Sequence, residues 1–259
     1  MTRIVIRNTE VDKKLRLFSW FRRLGVLAGA LALLLLALAP LGWRAGVWHY
    51  RISFSLISLA GLLAIAGAIA AGVGLAFGRA TLRWRDAILP SLAVLFGLCV
   101  LIAIWQIKQH GAAPIHDITT DLDNPPAFIA ALPARRAEHA AADAYAGIEL
   151  ARQQQAAYPD IRPTLLAVTP GRAFELALAT AKAMPGWTIT ASDPQAGRIE
   201  ASQASFWFGF VDDIVIRVDA AGAGSRIDMR SLSRQGVGDL GVNARRVRAY
   251  MAALKRAAG

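Results

Sequence analysis

The chain has 259 residues, 55% of them hydrophobic and 18% charged, with a formal net charge of +11 and one cysteine. So apolar a composition excludes a disordered chain, and a single cysteine excludes an internal disulfide framework. The charge is uneven: residues 1–111 carry 13 Lys/Arg against 3 Asp/Glu, whereas residues 112–259 carry 16 against 15. The basic excess flanks apolar runs and leaves the remainder nearly neutral, so no nucleic-acid partner is expected.

Residues 1–23 form a basic segment, and residues 24–111 hold three charge-free apolar runs at 24–43, 52–77 and 87–107. Each reaches the roughly 20 residues that a helix needs to cross a bilayer, where backbone groups must be satisfied internally. Ala37-Leu38-Ala39 resembles a signal cleavage site, but Pro40 in the next position hinders cleavage, and a retained helix is expected. Ten basic residues share one side: Arg3, Arg7, Lys13, Lys14, Arg16, Arg22, Arg23, Arg79, Arg83 and Arg85. Only Arg44, Arg51 and Lys108 fall on the other. This asymmetry predicts a cytoplasmic N-terminus in a bacterial inner membrane and a periplasmic C-terminal domain. Trp20, Trp43, Trp48, Trp84 and Trp105 lie near the span ends, as an interfacial belt requires. In the second span Ala66, Ala70, Gly74 and Gly78 recur every four residues, a ridge for packing within the bundle or, alternatively, for a homo-oligomer. No Asp, Glu, Lys, Arg or His lies within a span, which argues against a proton or ion pathway.

Residues 112–168 read as a connecting segment. The first part is rich in Pro, Asp and Thr and extended; residues 134–157 hold ten alanines and predict a helix that Gly147 interrupts; two prolines break it at 158–163. Residues 169–259 read as a compact domain. A helix opens at Thr169 or Pro170 and stops at Pro185-Gly186. Strands follow at 187–192 and 198–203 around the turn residues 193–197. Residues 206–219 form a long strand with a bulge at Asp212-Asp213, its aromatic run Phe206-Trp207-Phe208-Gly209-Phe210 presenting apolar groups on both faces. A strand at 225–233 and a basic amphipathic helix at 240–258 complete the order. The expected fold is a three-helix membrane anchor plus an α+β domain, with a four-stranded antiparallel sheet and both flanking helices on one face.

Four stretches carry a resemblance. Ile115-His116-Asp117-Ile118-Thr119-Thr120-Asp121 is followed by Pro125-Pro126-Ala127-Phe128, by Tyr158-Pro159-Asp160-Ile161, and by a run through Ser231-Leu232-Ser233-Arg234 to Arg246. Together they resemble an uncharacterised bacterial and plastid family, domain of unknown function 1499, over about residues 112–257. The resemblance implies a shared domain and no particular activity.

The densest polar constellation is His116 with Asp117, Asp121 and Asp123, with Thr119 and Thr120 among them. A His beside carboxylates suits a general base or a ligand set, and Asp and Thr suit equally the capping of turns in an extended strap. No nucleophile elbow, phosphate loop, zinc-protease helix or cysteine pair accompanies them. Arg234, Asp239, Asn243, Arg245 and Arg246 surround a glycine-rich loop before the last helix, where N–H groups can meet an anion unless Asp239 caps them first. The strap is expected to pack beside this loop through carboxylate–arginine pairs. The leading reading is a non-enzymatic envelope protein whose outer domain binds a partner, a lipid or an anionic ligand, with no cofactor or metal. The alternative is a membrane-anchored hydrolase using His116 and its neighbouring carboxylates.

Overall fold

The computed structural model describes residues 2–77, 84–109, 112–138, 140 and 142–259. Gly78, Arg79, Arg83, and the side chains of Arg3, Arg7, Arg85 and Lys108, lie outside the described set. The chain divides into two units, Met1–Gly111 and Ala112–Gly259.

The first unit is three helices: α1 (Thr2–Arg44), α2 (Tyr50–Phe77) and α3 (Trp84–Gln109). Helix α1 continues without a break through the basic segment. The stretches Arg16–Arg44, Tyr50–Phe77 and Asp86–Ile107 are long and apolar enough to cross a membrane. Helix α2 buries Ala60, Ala64, Gly67, Ala71 and Gly74. There the backbones come so close that a Cβ on Gly25 would stand 2.6 Å from the Gly67 carbonyl oxygen. The small-residue face is therefore present but rotated from the expected ridge: Ala66 is exposed and Ala70 half-buried. A strict spacing of four drifts off a helix face with 3.6 residues per turn, whereas alternating steps of four and three hold it.

The second unit follows the order β1 (Asp117–Thr119), α4 (Leu132–Ala137), α5 (Ile148–Ala157), β2 (Thr164–Leu166), α6 (Pro170–Ala183), β3 (Trp187–Asp193), β4 (Arg198–Ala204), β5 (Val211–Ala221), β6 (Gly224–Ser233) and α7 (Val242–Ala258). The sheet has six strands rather than four. Its order is β1-β6-β5-β4-β3, with β2 also on β6, and every pairing is antiparallel. The two additional strands share one edge of β6, β2 opposite Ser225 to Ile227 and β1 opposite Arg230 to Leu232. The Gln154 side chain on α5 donates to the Thr119 carbonyl at 2.6 Å and accepts its N–H at 2.9 Å, so an amide continues the ladder where no strand does. The expected helix at 134–157 is replaced by two short ones: α4 ends at Ala137, and α5 starts after Gly147, whose φ of +77° few side chains adopt.

One sheet face packs on α6 and α7. Ile199, Ile214, Ile216, Ile227 and Met229 are fully buried there with Val247, Tyr250 and Leu254 of α7 and Phe174 and Ala177 of α6. Tyr250 stacks on Trp187 at 5.4 Å and donates its hydroxyl to the Ala177 carbonyl, fastening α7 to α6. Burial pushes the Tyr250 pKa upward.

Two local expectations are corrected. The run Phe206 to Phe210 is a turn: Ser205 donates its N–H to the Phe210 carbonyl, and β5 begins only at Val211. Asp212 and Asp213 form no bulge either, pairing in unbroken register with Gln203 and Ser202 on β4 and with Ser233 and Leu232 on β6. The register shift lies instead in β3, between Ile189 and Ala191. Adjacent carboxylates in a regular strand point to opposite faces, so each needs its own partner.

Candidate functional site

Alternation turns Glu200, Asp213, Val215, Arg217, Asp228, Arg230 and Leu232 to the second sheet face. That face is covered rather than solvated. Phe128 and Ala131 pack on Val215 and Leu232, and Glu200, Asp213 and Asp228 are each at most 1% exposed. Charges so placed require partners, and the strap formed by residues 117–145 supplies many of them.

Three ion-pair groups hold the strap. In the first, Arg230 donates Nε and Nη2 to the two Asp117 oxygens, both at 2.8 Å, and Nη2 also donates to the Asp143 carbonyl. Its guanidinium lies 5.1 Å from the Phe128 ring centre and 5.5 Å from that of Tyr145. Burial, together with the Asp117 charge, raises the Tyr145 pKa to about 12 against the opposing pull of Arg230. In the second, Asp213 accepts from Arg135 on α4 at 2.7 Å and from Arg234 Nε and Nη2 at 2.9 and 2.7 Å; Arg234 also pairs with Glu138.

The third group brings Asp121 and Asp228 together between Arg217 and Arg226, with closest contacts of 2.8–3.1 Å, and Thr120 donates its hydroxyl to Asp228 at 3.0 Å. Burial raises the Asp121 pKa, but the Asn124 and Asp123 N–H groups and the two arginines outweigh it and hold the carboxyl below its usual value. Glu200 completes the attachment, with Arg198 Nε 3.9 Å from its carboxylate. Its carboxylate accepts the backbone N–H groups of Ile129, Ala130 and Ala131 at 2.8–3.0 Å, at the start of α4.

The residues singled out in sequence divide between two places. Asp117, Thr119, Thr120 and Asp121 belong to the strap network. His116 is half-buried, and its carbonyl accepts the Ser233 N–H at 3.1 Å and the Asn243 Nδ2 at 2.9 Å. Asn243 thereby joins strap to loop. Gly241 and not Asp239 stands at the N-cap of α7; Asp239, two residues earlier, accepts the N–H groups of Gly241 and Asn243 at 2.8 and 2.6 Å and so takes up a donor of the helix start. Arg246 pairs with Asp212 at 2.6 Å and also bonds Gln203, Ser231 and Asn243. Arg245 reaches the Leu240 carbonyl. Strap and loop are thus neighbours, while Asp117 and Asp121 pair with arginines of β5 and β6 and not with Arg234, Arg245 or Arg246. Among the described residues no group of three His, Cys, Asp or Glu side chains is arranged to hold a metal ion.

Arg226 and Arg230, partners that the sequence does not reveal, sit in a strand whose alternation reads as half-solvated, and Arg217 sits near the end of one that reads as apolar. The available signal was Arg226, Asp228 and Arg230 alternating with Ile227 and Met229, a charge row of both signs. Nothing else in the chain shows that a strap covers it.

Apolar groups gather at one end of this unit. Arg234 donates its N–H to the Val211 carbonyl, which places the turn 205–210 beside the loop that follows β6. That loop in turn lies against the segment leading into β1: a Cβ on Gly241 would lie 3.2 Å from Ala112 Cβ, and one on Gly238 3.4 Å from Pro114 Cα. At this end Phe206 is 97% exposed, Val237 82% and Leu240 64%, and half of Trp207 is open.

Three apolar helices followed by an α+β unit define the class: a membrane-associated protein with a folded C-terminal module. Residues 117–254, more than half of the chain, match the family model described as "Protein of unknown function (DUF1499)", and the chain belongs to that family. No curated protein is significantly similar to it. Partial likeness is found to the crystal structure of Ara h 8.0201, at 13% identity over 37% of this chain and 91% of that one, with a TM-score of 0.22. A second is to the crystal structure of TTHA0849 from Thermus thermophilus, at 11% identity over 37% and 90%, with a TM-score of 0.21. Likeness this faint carries no argument about fold or function.

Proposed function

We propose that the chain is a non-enzymatic protein of a bacterial inner membrane, with its N-terminus in the cytoplasm and its α+β domain in the periplasm, and that the domain is a binding module for the bilayer surface. The ten-to-three division of basic residues supports the orientation. The observation that carries the binding is the exposed group Phe206, Trp207, Val237 and Leu240 at the end where the chain enters the domain. An aromatic side chain buries 150 Å² or more, so moving Phe206 and Trp207 from water into the interface is worth on the order of 2–4 kcal/mol each at about 25 cal/mol per Å². Phe and Trp suit the headgroup boundary, where one end of an indole is dry and the other wet. Only three peptide links separate Gln109 from Ala112, a reach of about 11 Å. The hydrolase reading needs a carboxylate committed to His116, and the next in sequence, Asp117, is engaged by Arg230.

The test uses the full chain with Cys99→Ser, reconstituted in liposomes and labelled with a fluorophore on Phe206→Cys or on Ala223→Cys in the turn between β5 and β6. Brominated lipid should quench the label at 206 and leave that at 223 bright. In intact spheroplasts an impermeant maleimide should reach 223. Equal quenching at both sites, or none at 206, removes the bilayer as the occupant and leaves a protein partner for the aromatic turn. Protection of 223 reverses the orientation.

A further inference from the structure

A second feature, independent of the aromatic turn, lies in the helical unit. Helices α1 and α3 leave a cavity of about 560 Å³ between them. Its lining is graded. Ser19, Arg22 and Arg23 of α1 and Asp86 of α3 come first; Val26, Leu27, Leu89 and Pro90 follow within the next two turns. From Ser19 to Leu27 the helix climbs about 12 Å, roughly the depth from a headgroup into the first acyl carbons. At about 30 Å³ per water the space is far larger than one or two ordered waters need, and half its wall offers them no hydrogen bond.

Arg22 makes the polar end specific. Its alkyl stem crosses α2 at Gly74, where a Cβ would stand 2.5 Å from Arg22 Cγ and 2.8 Å from the Phe18 carbonyl oxygen. Only glycine admits that crossing, which fixes the direction of the guanidinium. The Nη1 atom is closed off from the surface and has no hydrogen-bond partner among the described residues. The cavity wall is therefore made by the other atoms of the Arg22 side chain, which bring its positive charge to the polar end. Arg23 beside it, with its guanidinium 6.0 Å from the Trp20 ring centre, adds a second positive charge, and Asp86 subtracts one. The polar end, with two guanidiniums and one carboxylate, is therefore net positive and suits a phosphodiester, while Asp86 is an acceptor for a headgroup hydroxyl.

We propose that this cavity binds one anionic glycerophospholipid, with its phosphodiester on Arg22 and Arg23, its headgroup hydroxyls on Asp86, and an acyl chain along Val26, Leu27, Leu89 and Pro90. Native mass spectrometry of the full chain in detergent, titrated separately with dioleoyl phosphatidylglycerol, phosphatidylethanolamine and phosphatidylcholine, tests it. The intact chain should retain one phosphatidylglycerol in preference to the other two. Arg22→Gln should weaken that retention by about tenfold or more, the loss of one charge-assisted contact. Arg51→Gln, beyond the far end of the first span, should leave it unchanged. Arg23→Gln provides the same test at an exposed side chain should Arg22→Gln not fold. Equal retention of all three lipids by the intact chain overturns the proposal, as does unaltered phosphatidylglycerol binding by a folded Arg22→Gln or, where that variant fails to fold, by Arg23→Gln.

Discussion

The two faces of the domain's sheet are both shut off from water, by unlike means. Beneath α6 and α7, Ile214, Ile216, Ile227 and Met229 need only exclude solvent, and another aliphatic of similar volume would serve at modest cost. Beneath the strap, Asp117, Asp213 and Asp228 must each find particular N–H groups. The apolar face supplies free energy with little regard to place, whereas the ionic face fixes place. Pairing Asp117 opposite Leu232 sets its carboxylate against Arg230; a slip of one residue would turn Ile118 into the ion pairs and Asp117 into the core. Ion pairs of this kind are weak evidence for stability in themselves, because desolvation offsets most of their attraction. Their effect here is on register.

The sharpest way to break that contrast is to remove one half of a shielded pair. Arg230→Ala leaves Asp117 buried without its counter-ion and should lower the free energy of opening by about 3–5 kcal/mol, read by hydrogen exchange of β6 amides in the full chain. Ile216→Ala on the other face should cost about 2–5 kcal/mol through its cavity. The faces differ in the double change: Asp117→Leu with Arg230→Met should recover most of the loss, since two apolar groups need no counter-ion. A double variant as weak as Arg230→Ala would mean that the pair itself, and not the orphaned charge, supplies the stability.

Acid should act first at the strap, with a smaller and graded effect. The Asp121 carboxyl titrates lower in the folded domain than in the unfolded chain, so its contribution is fully present above the unfolded value of about 3.9. It is lost as the pH falls through the lower folded value. Exchange measured after brief incubation below pH 4 should therefore accelerate in the strap around residues 119–124 before it does in α6. Simultaneous acceleration would tie the strap to the global transition.

The smallest effect belongs to an ion pair outside both faces. Arg248 and Asp160 meet at 2.6 Å but are half open to solvent, and the Arg248 hydrogen bond lowers the Asp160 pKa. Arg248→Ala should cost less than about 1 kcal/mol, part of that through the lost contact with the Tyr158 ring. A loss comparable with Arg230→Ala would show that burial is not what separates the two pairs.

How much of this could be read in the chain depends on how local each signal is. The apolar spans, α6 and the β3–β4 hairpin follow from residues within one window: twenty uncharged positions, Pro185-Gly186, and the Asp193-to-Gly197 turn. β1 and β2 are three residues each, too short for alternation to show, and exist because β6 offers them an edge. Asp212-Asp213 reads as a bend because two carboxylates in an apolar strand have no visible partner; the arginines that hold them come from α7, α4 and the end of β6. The strap's acids were recognisable as residues in need of cations. Their true partners were hidden because a polar strand face under a strap and one under water have the same sequence pattern.

Glu200 distributes sequence constraint unevenly along the strap. Its carboxylate grips three main-chain N–H groups and no side chain at Ile129, Ala130 or Ala131. A clamp of that kind is blind to what the gripped residues are, so far as its own bonds go, and intolerant of proline, which brings no hydrogen to the bond. Ile129, whose side chain is open to solvent, can change its identity at little cost, while the residue that holds it sits 71 positions away and can become neither shorter without releasing all three bonds nor an amide without setting one N–H against another.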